Sequence, residues 1–248
     1  EAAAEKGYTV FICNTNWSEK REENYLNDLF GRQVDGIIIV PSSEKISHLK
    51  KILDTGKKTI FLSRLIDSAV GTSISIDNIS GAVMAIEHLI SRGHKRIAFI
   101  GGLKDISANK ERLKGYKRGL IKYNLEVNDN YILNGDFKRD SGQYMMQKML
   151  RMDKKPSAVF AANDLIALGA MQAVREIGCK IPDDITIVGF DNIELLLFPA
   201  EQLTTISQPK YELGKIAFET LIEQIKNQER LIKRKILLTP ELIIRKTT

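Results

Sequence analysis

Apolar and polar positions along the chain follow two rhythms. Short, almost unbroken apolar runs recur at Tyr8–Cys13, Gly36–Val40, Thr59–Leu62, Ser73–Ile76, Arg96–Ile100, Tyr131–Leu133, Ala158–Ala161 and Ile185–Phe190. Between them lie segments with apolar residues every three or four positions: Glu19–Phe30, Lys45–Thr55, Ser80–Ser91, Lys110–Tyr123, Asp140–Met152 and Leu165–Ile177. The first rhythm predicts strands and the second helices. Their regular alternation implies parallel sheets with helices on both faces, and strands covered on both faces are apolar throughout. One β/α series stops at Gly101-Gly102 and a fresh one starts at Tyr131. After Ile206 come a long amphipathic helix, Pro209–Asn227, and two short strands, Ile236–Leu238 and Glu241–Ile244. The economical arrangement is two α/β lobes joined by several crossings.

The stretch from Pro156 to Asn192 organises the rest. The run Ala158-Val159-Phe160-Ala161 ends in Asn163-Asp164, where Asp164 is suited to cap a helix because its side-chain oxygen can accept from free N–H groups. That helix stops at Gly178, and a second strand, Ile185–Phe190, ends in Asp191. A polar residue thus stands past the carboxyl end of each strand, the edge where open α/β sheets bind ligands. The same position after other strands holds Asn14, Ser42, Arg64, Asp77, Asp136, Phe137 and Gln208. Asp77-Asn78 and Asp164 look like helix caps. As a set, carboxylates, amides, a guanidinium and an aromatic suit a polyhydroxylated ligand. Hydroxyls need both donors and acceptors, and leaving a buried one unpaired costs ~1–3 kcal/mol, which makes such sites selective.

Composition narrows the function classes. The chain has 248 residues, 43% of them hydrophobic and 27% charged, with a net charge of +6. The surplus hints at an anionic partner, yet no lysine/arginine block is dense enough for a nucleic-acid arm, residues 226–235 coming nearest. Cys13 and Cys179 lack motif spacing and sit in apolar sequence, as inert core residues would. No run reaches membrane-spanning length. His48, His88 and His94 have no metal-ligand spacing, and neither GxSxG nor HExxH occurs. Thr55–Thr59 precedes a strand, so it cannot cradle phosphate at a helix start, and Gly101-Gly102 lacks a third glycine for a dinucleotide fingerprint. His94 follows a helix C-terminus and reads as structural; Met145, Met146 and Met149 read as core and boundary packing. The expectation is a binding protein, not an enzyme, with no cofactor or metal.

The segment AAND..ALGAMQAV...G..IPDDI.IVGFDN resembles the effector-binding core of the lactose-repressor (LacI/GalR) family of bacterial transcription regulators. IDN..GA..A..HLI.RGHKRIAFIGG (Ile76 to Gly102), ANKERLKGY (Ala108 to Tyr116) and LTTISQP...LG..A (Leu203 to Ala217) agree, in the family's order. The resemblance implies an α/β fold of two doubly wound parallel-sheet lobes with a ligand cleft between them, the periplasmic binding protein-like type I fold. Residues 1–101 with 209–238 would form the N-terminal lobe, its first strand missing, and 102–208 with 239–248 the C-terminal lobe. The crossings fall near Gly101–Leu103, Ser207–Pro209 and Leu238–Glu241. Carried over by motif, the ligand-binding residues are Arg64, Arg112, Phe137, Asn163, Asp191 and Gln208. The family's aspartate before the first of these is Ser63 here, which removes one hydroxyl acceptor.

The implied function is effector sensing and dimerisation in a cytoplasmic DNA-binding regulator, a repressor of sugar utilisation. Its partners are a small sugar or related metabolite, operator DNA through a separate N-terminal domain, and a second copy of itself, with no membrane. The ligand would prefer one arrangement of the lobes and so bias the DNA-binding heads. By analogy the dimer surfaces are Glu19–Phe30, Lys45–Thr55 and Met145–Met152. An exported sugar receptor is the alternative, and the closeness of IPDDITIVGFDN and RGHKRIAFIGG to the regulator branch argues against it. Glu1–Lys6 reads as a helix tail stopped by Gly7, so an upstream strand, a loop and a helix-turn-helix head are expected before Glu1.

Overall fold

The structure, a computed structural model, describes residues 2–43, 49, 53–64, 71–193, 202–227 and 234–248. The expected helix at 45–55, except its end, lies outside them, as do His48 and most of the basic stretch 226–235. Helices in chain order are α1 (Ala2–Glu5), α2 (Glu19–Gly31), α3 (Asn78–Ser91), α4 (Ser107–Lys122), α5 (Arg139–Leu150), α6 (Asp164–Glu176) and α7 (Lys210–Asn227). The strands are β1 (Gly36–Ile39), β2 (Lys58–Leu62), β3 (Thr72–Ile76), β4 (Ile97–Gly101), β5 (Ile132–Asn134), β6 (Ala158–Ala161), β7 (Thr186–Asp191), β8 (Thr204–Ser207), β9 (Lys235–Leu238) and β10 (Glu241–Ile243).

The chain divides into two compact units. Unit 1 is Glu1–Ile76 with Pro209–Leu238, and unit 2 is Asp77–Gln208 with Thr239–Thr248. The first junction therefore falls at Ile76/Asp77 rather than near residue 101. The reason is packing: β4 is hydrogen-bonded to β5 and β6, and α3 lies against α4, where Gly115 and Gly119 admit Ile79, Ala82 and Ile86 at contact distance. Residues 77–101 are thus built into the second sheet.

In unit 1 the sheet order is β1-β2-β3-β9, all parallel. Leu26 of α2 packs on Ile37, Ile39 and Phe61, and Ala3 of α1 packs on Phe218 and Ile222 of α7. Ser18 caps α2, its hydroxyl accepting from the Arg21 N–H at 3.3 Å. The apolar run Tyr8–Cys13 is not a strand. Val10, Phe11 and Ile12 are 62%, 56% and 91% exposed, and Cys13 is exposed too, contrary to its expected place in a core. A strand persists only where a neighbour completes its ladder, and among the described residues the strand hydrogen-bonded to β1 is β2.

In unit 2 the order is β10-β8-β7-β6-β4-β5. All pairs are parallel except β10 with β8, which closes the edge as an antiparallel return. Phe99, Phe160, Phe190 and Tyr116 form its aromatic centre, with ring centroids 5.5–6.4 Å apart. The Tyr116 hydroxyl donates to the Ile97 carbonyl at 2.9 Å, and burial raises its pKa. β8 has little apolar signature, since two of its four residues are threonines. Both are fully buried because each has a fixed partner: the Thr204 N–H donates to Thr247 Oγ1 at 2.9 Å and the Thr205 hydroxyl to Asp164 Oδ1 at 2.6 Å. α5 and α6 cross at Gly142 and Gly169, where a side chain on either glycine would meet backbone atoms of the other helix.

Candidate functional site

Five of the six expected ligand residues lie in unit 2, at the carboxyl ends of its strands and on the facing turn of α4. β7 ends in Asp191, whose φ of 110° and the 49° of Asn192 turn the chain sharply out of the sheet. Non-glycine residues adopt such angles when their surroundings over-determine them. The surroundings here are explicit. Asn192 Nδ2 donates to Ser207 Oγ at 3.2 Å, and its Oδ1 accepts from Arg245 Nη2 at 2.8 Å. Arg245 is itself held by the Leu203 carbonyl at 2.8 Å.

Arg112 reaches Asp191 from the second turn of α4. It is 5% exposed, so it is no surface charge paired with Glu111 or Asp105. Its Nε donates to Asn78 Oδ1 at 2.9 Å, its Nη1 to the Ala162 carbonyl, and its Nη2 lies 3.3 Å from Asp191 Oδ1. The guanidinium also stacks on Phe190, 3.7 Å from the ring centroid. Burial pushes the Arg112 pKa down and Asp191 draws it back up, so the planar cation is fixed with its three nitrogens divided between Asn78, the Ala162 carbonyl and Asp191. Gln208, just past β8, donates from Nε2 to the same Asp191 Oδ1.

Asn163 is the N-cap of α6, accepting the Ile166 N–H at 2.9 Å. Asp164, expected to be that cap, is instead the first helical residue. It is fully buried, and its second oxygen accepts the Ile193 N–H at 2.9 Å, so it ties α6 to β8 and to the turn after Asp191. The strand ends at Ala161 as expected, and it is the helix that begins one residue earlier than expected, at Asp164. Asp77 does cap α3, taking the Ser80 N–H at 2.9 Å and its hydroxyl at 2.6 Å. The other amide edge of Asn163 donates to the Phe137 carbonyl at 3.0 Å. Phe137, at φ 67°, lays its ring over Gly102, where any side chain would collide with it. Arg112, Asp191 and Gln208 are therefore joined by hydrogen bonds, as are Asn163 and Phe137, and the two groups meet in the backbone, where Arg112 holds the carbonyl of Ala162 next to Asn163.

Arg64 belongs to unit 1, just past β2, and is 3% exposed with its guanidinium 5.0 Å from the Trp17 ring centroid. Of the remaining strand-end residues, Asn14 is exposed and accepts from the Asn16 N–H at 3.0 Å. The Ser42 N–H donates to the buried Glu22 at 2.7 Å. The residues that position the cluster, Asn78, Asn109 and Asp164, were not predicted as a supporting set. Asn109 accepts the Gly102 N–H at 2.8 Å and donates to Asn134 at 3.1 Å, fixing the glycine under Phe137. His94 shares a hydrogen bond of 3.0 Å with Ser157, while Met146 and Met149 are core and Met145 is half-buried. Among the described residues no group of His, Cys, Asp or Glu could hold a metal ion, and no helix is long and apolar enough to cross a membrane.

A doubly wound sheet with charged and amide groups gathered at its strand ends defines a ligand-binding domain of the periplasmic binding protein-like class, and the family model for that domain matches residues 86–248. The HTH-type transcriptional repressor PurR of Vibrio campbellii is 36% identical over 244 residues, covering 98% of this chain and 72% of its own length. Among solved structures, a transcriptional regulator CelR–cellobiose complex superposes with a TM-score of 0.88 at 29% identity, over 100% of this chain and 76% of that one. A LacI family transcriptional regulator from Enterococcus faecium with bound ribose gives 0.85 at 26% identity, over 100% of this chain and 90% of that one. The chain belongs to the LacI family of transcriptional repressors, of which it is the effector-binding domain.

Proposed function

We propose that the linked cluster in unit 2 is the effector site and that the effector is a small sugar or related metabolite. One observation carries this reading: Asp191 is held at the end of β7 with Arg112 and Gln208 on one carboxylate oxygen. A carboxylate so placed accepts from vicinal hydroxyls, a guanidinium and an amide donate to them, and the Phe137 ring suits the C–H face of a sugar. The cellobiose and ribose bound by the two structural relatives support the same ligand class. The role is binding without turnover, in keeping with relatives that are repressors. Effector binding shifts the population of the operator-binding form, in the cytoplasm, where the operator DNA is. A palindromic operator calls for a homodimer. Because Met146 and Met149 are core, α5 offers a partner only its outer face, with the exposed Tyr144.

The test is calorimetric titration with cellobiose, ribose and further pentoses and hexoses, repeated on Asp191→Asn. At least one sugar should bind, and the variant should bind it about ten- to a hundred-fold more weakly, the loss of one charge-assisted hydrogen bond. Equal affinity in wild type and variant would remove Asp191 from the site. Binding of none of the sugars would overturn the ligand class.

A further inference from the structure

Two crossed hydrogen bonds tie the ends of β7 and β8 together. Asp191 and Ser207 face each other in the register of the two strands. Just past that rung, Gln208 Nε2 donates back to Asp191 Oδ1, and Asn192 Nδ2 donates back to Ser207 Oγ at 3.2 Å. Both bonds depend on the turn made by Asp191 at φ 110° and Asn192 at φ 49°. Backbone in that region relaxes unless something outside it holds on. A third element does. Arg245, half-buried just after β10, is fixed against the start of β8, its backbone N–H donating to Thr204 Oγ1 at 2.9 Å. Its Nη1 donates to the Leu203 carbonyl and its Nη2 to Asn192 Oδ1, each at 2.8 Å. One planar cation thus ties the residue ahead of β8 to the turn after β7. A guanidinium suits this because its donors are set in a rigid plane and serve two acceptors at once.

We infer that Arg245 is a positioning residue for the effector site: through Asn192 it holds the backbone angles that aim the Asp191 carboxylate at Arg112 and Gln208. This inference rests on the reading of that cluster as the effector site. Asn192 is the coupler because its one amide is gripped from two sides, by Arg245 on its oxygen and by Ser207 on its nitrogen. Each grip sits one residue from a member of the site, since Asn192 follows Asp191 and Ser207 precedes Gln208. Releasing Arg245 therefore loosens Asp191 and Gln208 together. The far end of the cluster is held separately, by the bond from Asn163 to the Phe137 carbonyl. Arg245 thus acts on affinity through the turn and not by meeting the effector.

Two measurements on Arg245→Met and Asn192→Gly test this. Glycine is chosen because it accepts φ 49° without strain, so any loss reports the missing amide. The first measurement needs no sugar. In proton–nitrogen NMR of the parent, the Gln208 side-chain proton bound to Asp191 should lie downfield of a free glutamine amide. In both variants it should return to the free position, while the Asn163 side-chain amide stays in place. The second is the calorimetric affinity for ribose or cellobiose, whichever binds the parent. Each variant should bind it about tenfold more weakly. Adding Arg245→Met to Asn192→Gly should cause no further loss, because both act through one link. A Gln208 amide that does not move in the variants would overturn the proposal, and would leave the turn to Asp164, which accepts the Ile193 N–H. Gln208 and Asn163 amides that shift together would overturn it too, as the mark of general loosening. Asn192→Gly decides the question should Arg245→Met fail to fold. If neither sugar binds the parent, the effector reading falls, and the amide shifts still decide whether Arg245 holds Asp191.

Discussion

Substituting alanine for glycine should act with opposite sign at two helical positions, Gly169 and Gly214. Gly169 faces α5, and a Cβ placed on it would lie 1.9 Å from the Arg139 carbonyl oxygen and 2.7 Å from the Gln143 nitrogen. Unstrained contacts need roughly 3.5 Å, so α5 would have to retreat by more than an ångström. Both obstacles are backbone and cannot rotate aside. Overpacking of this kind costs ~1–3 kcal/mol, here toward the upper end, while alanine returns about 1 kcal/mol of helix propensity. The net for Gly169→Ala is a loss of about 2 kcal/mol, or about 4–8 °C in thermal midpoint for a chain of this size. Gly214 of α7 has nothing within 4 Å, so Gly214→Ala should gain close to the full propensity term and about 2–4 °C. Scanning calorimetry of the two variants beside the parent measures both. The effector should also bind Gly169→Ala more weakly, because α6 begins at Asn163-Asp164 and α5 begins just after Phe137. A Gly169→Ala variant as stable as the parent would show that the helix crossing gives way freely, and the close-contact reasoning would fail.

Asp164→Ala should cost about 3 kcal/mol, since it strands the Thr205 hydroxyl and the Ile193 N–H that the buried carboxylate now accepts; Asp164→Asn should cost less, and urea unfolding compares them. Arg112→Met should lower stability by about 3 kcal/mol by leaving Asn78 Oδ1 and the Ala162 carbonyl without their donor and Asp191 without its cation, so its thermal midpoint should fall before any ligand is added. Burial lowers the pKa of His88 and of His94 below the ordinary imidazole value. The unfolded chain then binds protons first, so stability is full above about pH 7 and falls as pH drops through the unfolded value near 6.5. Urea midpoints at pH 7.5 and 5.5 should show that decline, and His88→Gln should flatten it. A decline equally steep in the variant would clear His88 of the effect.

The sheets were readable wherever burial is two-sided, because runs such as Ala158–Ala161 and Ile185–Phe190 leave little choice of structure. β8 was not, since Thr204 and Thr205 are buried by hydrogen bonds from partners more than forty residues away, which periodicity does not register. Tyr8–Cys13 failed in the other direction: its sequence is that of a strand, but a strand also needs edges to pair with. Asn163-Asp164 shows the limit of local cap rules, which find the polar pair and cannot say which member the strand end will leave free. The residues of the proposed site surfaced as strand-end polar groups and, for Arg112, through the motif resemblance. Asn78 and Asn109 did not, because their work is to hold Arg112 and Gly102 in place, a relation that exists only after folding.

For the proposed effector site, the single Asp191 oxygen shared by Arg112 and Gln208 has a consequence for selectivity. The carboxylate has donors within the protein, and Gln208 is engaged by it. Binding is then a trade: an incoming molecule must present its own donor to Asp191 and an acceptor for the released Gln208 amide. Compounds that offer only one of the two leave a group stranded and are rejected at a cost of about 1–3 kcal/mol. Discrimination by exchange grows with each protein group that must change partners, so a weakly matched metabolite at high concentration gains little foothold.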